Sequence, residues 1–124
     1  MGNDYTSGLS ECFRARFATL GGVVTGFEGH VAGITNFKAP LARILATRPD
    51  LLYVPDYYND AALIVKQARA QGFRGPIVGG DGWDSPLFAE VGGKAAENCY
   101  FTNHYTMDDH RPVVQAFVEH YAAE

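Results

Sequence analysis

The chain has 124 residues, 47% of them hydrophobic and 19% charged, and a net charge of -4. That is enough chain for one compact domain with its own core and too little for two. The acidic balance offers no basic footprint for nucleic acid and no polybasic stretch for an anionic membrane, and the apolar runs fall far short of the roughly 20 residues that cross a bilayer.

The opening residues, MGNDYTSG, lack a basic region followed by an apolar segment, so they do not read as a secretory signal, and a secreted parent would need one upstream. Asp4, Thr6 and Ser7 are helix-capping types, and Leu9, Cys12, Phe13, Phe17 and Leu20 then recur at the spacing of one helix face. Gly21 and Gly22 end that helix. Val23 to Phe27 reads as a strand, followed by a loop and a helix from about Asn36 in which Pro40 sits in the first turn, where proline does least damage. Leu51 to Val54 is a continuous apolar run, the pattern of a strand buried on both faces of a parallel sheet. It ends at Asp56, Tyr57 and Tyr58. A third helix runs from Ala61 to Gln71 and stops at Gly72, a residue type suited to the position just past a helix.

The stretch from Pro76 to Pro86, PIVGGDGWDSP, holds the densest signal. Ile77 and Val78 form a short strand, Gly79 and Gly80 stop it, Asp81, Gly82 and Trp83 follow, and Asp84, Ser85 and Pro86 begin a helix. In open parallel α/β sheets ligands bind beyond the carboxyl ends of the strands, where such a crest lies. The glycines offer unusual backbone conformations and close approach, and Asp81 suits a small polar ligand with a cationic group. Gly-Asp-Gly is also ordinary turn chemistry, and Trp83 fits a core as well as a cleft wall. A short helix from Pro86 to Val91, a strand from Cys99 to Phe101 and a last helix from about Asp109 complete the chain. That helix carries Val113, Val114, Phe117, Val118 and Tyr121 at helical spacing.

Helix and strand alternate throughout, which predicts a three-layer α/β fold, a parallel sheet with helices on both faces, in one lobe covering residues 1–124. A doubly wound sheet normally has a strand before its first helix, and no such strand is written ahead of Asn3, so the chain reads as part of a larger protein. Cys12 and Cys99 lie in apolar patterns and are expected as buried thiols rather than a disulfide. His30, His104, His110 and His120 fall on different elements, no cluster has zinc-ligand spacing, and neither a nucleophile elbow nor a phosphate-binding loop is present. No metal, cofactor or catalytic residue is expected.

DYTSGL, RPDLLYVPDYYNDAALIVKQARAQGF, PIVGGDGWDSP and CYFTNHY, in that order, make the chain resemble the second lobe of the branched-chain amino-acid binding proteins. These are substrate-binding components of ABC importers with the type I periplasmic binding fold, whose lobes are flavodoxin-like. The resemblance implies a periplasmic protein without enzymatic activity that binds a branched-chain or other apolar amino acid between two lobes and delivers it to a membrane permease. The family's acidic residue for the α-ammonium falls on Asp81, its opening tyrosine on Tyr5, and its aromatic after the preceding strand on Tyr57, with Tyr58 adjacent and Trp83 close by. Some leucine-type members carry Glu at the Asp81 position and Gly at that of Asp56. A ligand-sensing regulatory domain on the same fold is the second reading, and an enzyme or phosphoacceptor on a flavodoxin-like sheet the third. In the flavodoxin-like order the first strand would lie between Val23–Phe27 and Leu51–Val54, so a lone chain is expected to leave a slot there that a second copy could close as a homodimer.

Overall fold

A computed structural model describes residues 4–123. Helix α1 spans Asp4–Thr19, α2 Lys38–Ala46, strand β1 Leu52–Tyr53, α3 Tyr58–Ala70, β2 Ile77–Gly79, α4 Pro86–Gly92, β3 Cys99–Phe101 and α5 Pro112–Ala122. Short 3-10 turns occupy Asp81–Trp83 and Gly93–Ala96. The three strands pair in chain order and all in parallel, with Leu52 opposite Ile77 and Val78 opposite Tyr100. This is the open parallel sheet with helices that the alternation predicts.

Local chemistry explains where the elements begin and end. The Asn36 side chain accepts the Lys38 N–H at 3.1 Å ahead of α2, and Pro40 is that helix's third residue, where its missing N–H costs nothing. Helix α3 stops in a Schellman turn: Gly72 takes φ +94°, its N–H reaches the Arg69 carbonyl at 3.0 Å, and Phe73 reaches that of Ala68 at 3.1 Å. Ser85 caps α4, its hydroxyl accepting the Leu87 N–H, with Pro86 in the first position.

Pleating divides β1 between two environments. Leu52 and Val54 point into the core with Ile77, against the face of α3 that carries Ala61, Ala62, Ile64, Val65 and Ala68. The alanines on that face let α3 lie close to the sheet. Tyr53 points the other way and stacks on Phe13 of α1 with ring centroids 3.9 Å apart. Burial of Leu51–Val54 on both faces is therefore not observed, because the α1 side is only partly covered.

Three further expectations fail around the edge of the sheet. Val23 to Phe27 forms no strand, and Val23 is 77% exposed. Among the described residues no strand lies along the outer edge of β1, so the segment has no ladder to join. Helix α1 buries no residue fully: Cys12 is exposed, and Leu20, just past the end of the helix, is 68% exposed. On α5 only Val114 is buried, while Val113, Phe117 and Tyr121 lie open. Cys99 is half-buried and free, and burial pushes its thiol pKa up. No helix among the described residues is long and apolar enough to cross a membrane.

Candidate functional site

The carboxyl ends of β1 and β2 lie side by side, and α1 delivers its first turn to them. Tyr5 lays its ring on that of Tyr57, centroids 4.8 Å apart and planes 18° from parallel. Its hydroxyl donates to Asp81 Oδ1 at 2.7 Å and accepts the Gly82 N–H at 2.9 Å. Sequence positions separated by more than seventy residues thus meet in one hydrogen-bonded cluster. Desolvation, then the bond to Asp81, pushes the Tyr5 pKa up to about 12, against the smaller opposing effect of the Gly82 amide. The hydroxyl stays protonated and keeps donating at any ordinary pH.

The glycines of this crest serve close approach rather than unusual backbone. None of Gly79, Gly80 and Gly82 has a positive φ. A side chain at Gly80 or Gly82 would come within 3.0 Å of the Tyr5 hydroxyl, and one at Gly79 would run into the Trp83 indole. Strand β2 can therefore carry Tyr5 on one side and Trp83 on the other only because these positions lack a Cβ.

The five residues picked out by sequence separate into two groups. Tyr5, Tyr57 and Asp81 come together at the surface, with Tyr57 45% exposed. Trp83 is 0% exposed, donates from Nε1 to the Val54 carbonyl at 3.0 Å and stacks on Phe88. It is a core residue that ties the crest to β1, and it cannot line a cleft. Tyr58 packs against the hydrophobic core from the start of α3.

Two histidines join the picture that sequence spacing does not reveal. His104 Nδ1 lies 3.8 Å from Asp81 Oδ2, on an exposed side chain that competes for the carboxylate oxygen Tyr5 leaves open. His30 Nε2 lies 2.9 Å from Asp56 Oδ1, and both side chains are largely buried. Burial pushes the Asp56 carboxyl up, the His30 contact pulls it back down, and Asp60 raises it slightly. Asp56 is thus a paired group and not a solvated strand end. A cavity of about 310 Å³ lies beside this pair, walled by Phe13, Phe27, Leu41, Ile44 and Tyr53. It occupies the space along the outer edge of β1 and is separate from the Tyr5–Asp81 cluster, which faces open solvent.

The sequence matches the family described as "Periplasmic binding protein" over residues 2–124. It is 28% identical over 117 residues to the leucine-specific-binding protein of Salmonella typhimurium, an alignment covering 93% of this chain and 31% of that protein. The leucine binding protein LivK of Thermotoga maritima is 41% identical and superposes with a TM-score of 0.87 over 98% of this chain and 35% of its own. The branched-chain amino-acid transporter substrate binding protein LivJ of Streptococcus pneumoniae, solved with isoleucine, is 36% identical with a TM-score of 0.81, over 98% of this chain and 34% of its own. The chain spans about a third of the length of these relatives. With sequence match and fold in agreement over nearly all of its length, the chain belongs to the periplasmic binding protein family.

Proposed function

We propose that the chain is a single ligand-binding lobe, residues 1–124, of an amino-acid receptor serving an ABC importer, and that it recognises the α-ammonium of a branched-chain or other apolar amino acid. The observation that carries this reading is the Asp81 carboxylate just past the end of β2, oriented through Oδ1 by the Tyr5 hydroxyl, with Oδ2 facing an exposed His104 ring that a ligand cation would displace. An ammonium there gains a charge-assisted hydrogen bond, and the stacked rings of Tyr5 and Tyr57 offer apolar surface and π faces beside it. Tyr58 and Trp83 act behind these three, holding the crest and the start of α3 in position. The relatives named for leucine, isoleucine and valine supply the ligand class, and their greater length supports a second lobe that closes over the open cluster and holds the carboxylate end of the ligand.

In this reading the receptor works in the periplasm and hands its amino acid to a membrane permease. The lobe performs no covalent chemistry. Where the lobe stands alone, the outer edge of β1 takes a strand from a second copy. The test of the main reading is calorimetry on a two-lobed protein in which this chain replaces the matching third of the Thermotoga maritima leucine binding protein. One apolar amino acid bound per molecule, with basic and acidic amino acids rejected, is the expected result. A folded hybrid that binds no amino acid would contradict the reading.

A further inference from the structure

His30, Asp56 and Asp60 come from three different places in the chain: the irregular segment after α1, the end of β1 and the first turn of α3. One potential ligand atom from each lies within 4.8 Å of the other two. We propose that these three side chains form a binding site for a divalent transition-metal cation of the Zn2+ type. The site is distinct from the Tyr5–Asp81 cluster and does not depend on the amino-acid reading.

The hydrogen-bond pattern of His30 is compatible with a cation in place of the proton on Nε2. Its Nδ1 lies 3.2 Å from the Val31 carbonyl and its Nε2 lies 2.9 Å from Asp56 Oδ1, so both ring nitrogens face oxygen acceptors. An imidazolium gives two N–H groups and satisfies both acceptors, whereas a neutral imidazole has only one to give. When Nδ1–H serves the carbonyl, the arrangement by which backbone oxygens orient metal-bound histidines, the Nε2 lone pair is left facing a carboxylate. A cation between Nε2 and the two carboxylates removes that conflict and offsets the repulsion between Asp56 and Asp60. Ligand bonds of about 2.0–2.2 Å at tetrahedral angles put neighbouring ligand atoms about 3.3–3.6 Å apart, so binding would open the 2.9 Å His30–Asp56 spacing slightly and draw Asp60 inward.

The donors are also held in place. Phe37, itself in the core, meets the His30 ring edge-on with centroids 5.0 Å apart. The Phe37 N–H donates to Gln67 Oε1 at 2.7 Å, and Gln67 Nε2 donates to the Thr35 carbonyl at 2.8 Å, which fastens the His30 segment to α3. His30 and Asp56 both line the 310 Å³ cavity, which gives the ion a route in and room for the water that completes its coordination. One imidazole with two carboxylates suits Zn2+, Co2+ or Ni2+. Mg2+ and Ca2+ prefer oxygen donors throughout. Bound there, the ion would staple the irregular segment between α1 and α2 to the β1–α3 junction.

The test is calorimetric titration of Zn2+ into the chain carrying His104→Ala, His110→Ala and His120→Ala, in a buffer that does not bind metal. The expected result is one Zn2+ per chain, with affinity falling about tenfold or more in His30→Gln and in Asp60→Asn, each checked for native circular dichroism. Equal affinity in both variants, or no binding at millimolar Zn2+, would overturn the proposal. A measurement that needs no change at His30 or Asp60 runs beside it: the ¹⁵N resonance of His30 Nε2 should shift on adding Zn2+, and an unmoved resonance at saturating metal would equally overturn the site.

Discussion

At the scale of single residues, Tyr5 and Trp83 divide the work of the β2 crest. Tyr5 faces outward and holds Asp81, and its titration reports that contact. Its folded pKa of about 12 stands above the ordinary value of 10.0 because burial disfavours the phenolate and because only the neutral hydroxyl can donate to the Asp81 carboxylate. A tyrosine raised in this way adds stability that is complete below the unfolded pKa and is lost as the pH rises through the folded one. Ultraviolet titration of the tyrosines should therefore show the Tyr5 phenol, and more modestly that of Tyr53, ionising above the ordinary range, and Asp81→Asn should bring Tyr5 down. Trp83 faces inward. Trp83→Phe keeps a ring in the core but removes the donor to the Val54 carbonyl, a loss of about 1–3 kcal/mol in urea unfolding followed by circular dichroism. The change also removes the chain's single tryptophan, so fluorescence cannot serve.

The elements show why some of this was legible in sequence and some was not. Asp81 and Tyr57 announce themselves because each follows an apolar run and precedes a helix start, a local pattern. The Schellman turn at Gly72 and the Ser85 cap are equally local. The His30–Asp56 pair and the His104 approach to Asp81 join separate elements, and no spacing rule finds them. Val23 to Phe27 has the composition of a strand, but a strand also needs an edge to join, which propensity cannot supply. Arg69 is another such case. Its guanidinium donates to the carbonyls of Gly75 at 2.7 Å, Phe73 at 3.2 Å and Glu97 at 3.0 Å, tying α3 to the starts of β2 and β3. Only a planar fork reaches several carbonyls at once. Arg69→Lys should therefore destabilise the fold by about 1–3 kcal/mol in denaturant unfolding, close to the cost of Arg69→Ala, and full rescue by lysine would contradict that role.

For the whole molecule the open flank of β1 is the dominant feature. The N–H groups of Leu52 and Val54 point to β2, reaching the carbonyls of Pro76 and Val78 at 3.1 and 2.8 Å, so that of Tyr53 points to the outer edge. The cavity beside that edge, lined by Val24 and Phe27, leaves room for a further strand. The lone chain is accordingly expected to associate, and sedimentation at increasing dilution should show a dimer separating into monomers. A cooperative monomer at every concentration would rule out pairing of copies through this edge.

In the proposed function Asp81 recognises the ammonium of an amino acid held over the β2 crest. In the two-lobed hybrid, calorimetric titration with leucine of the unchanged protein and of Asp81→Ala tests it most directly. A loss of about 2–5 kcal/mol is expected, because the substitution leaves a desolvated ammonium without its partner. The analogue 4-methylpentanoate, which has no ammonium, should bind both proteins equally weakly. Unchanged leucine affinity in Asp81→Ala would contradict the claim.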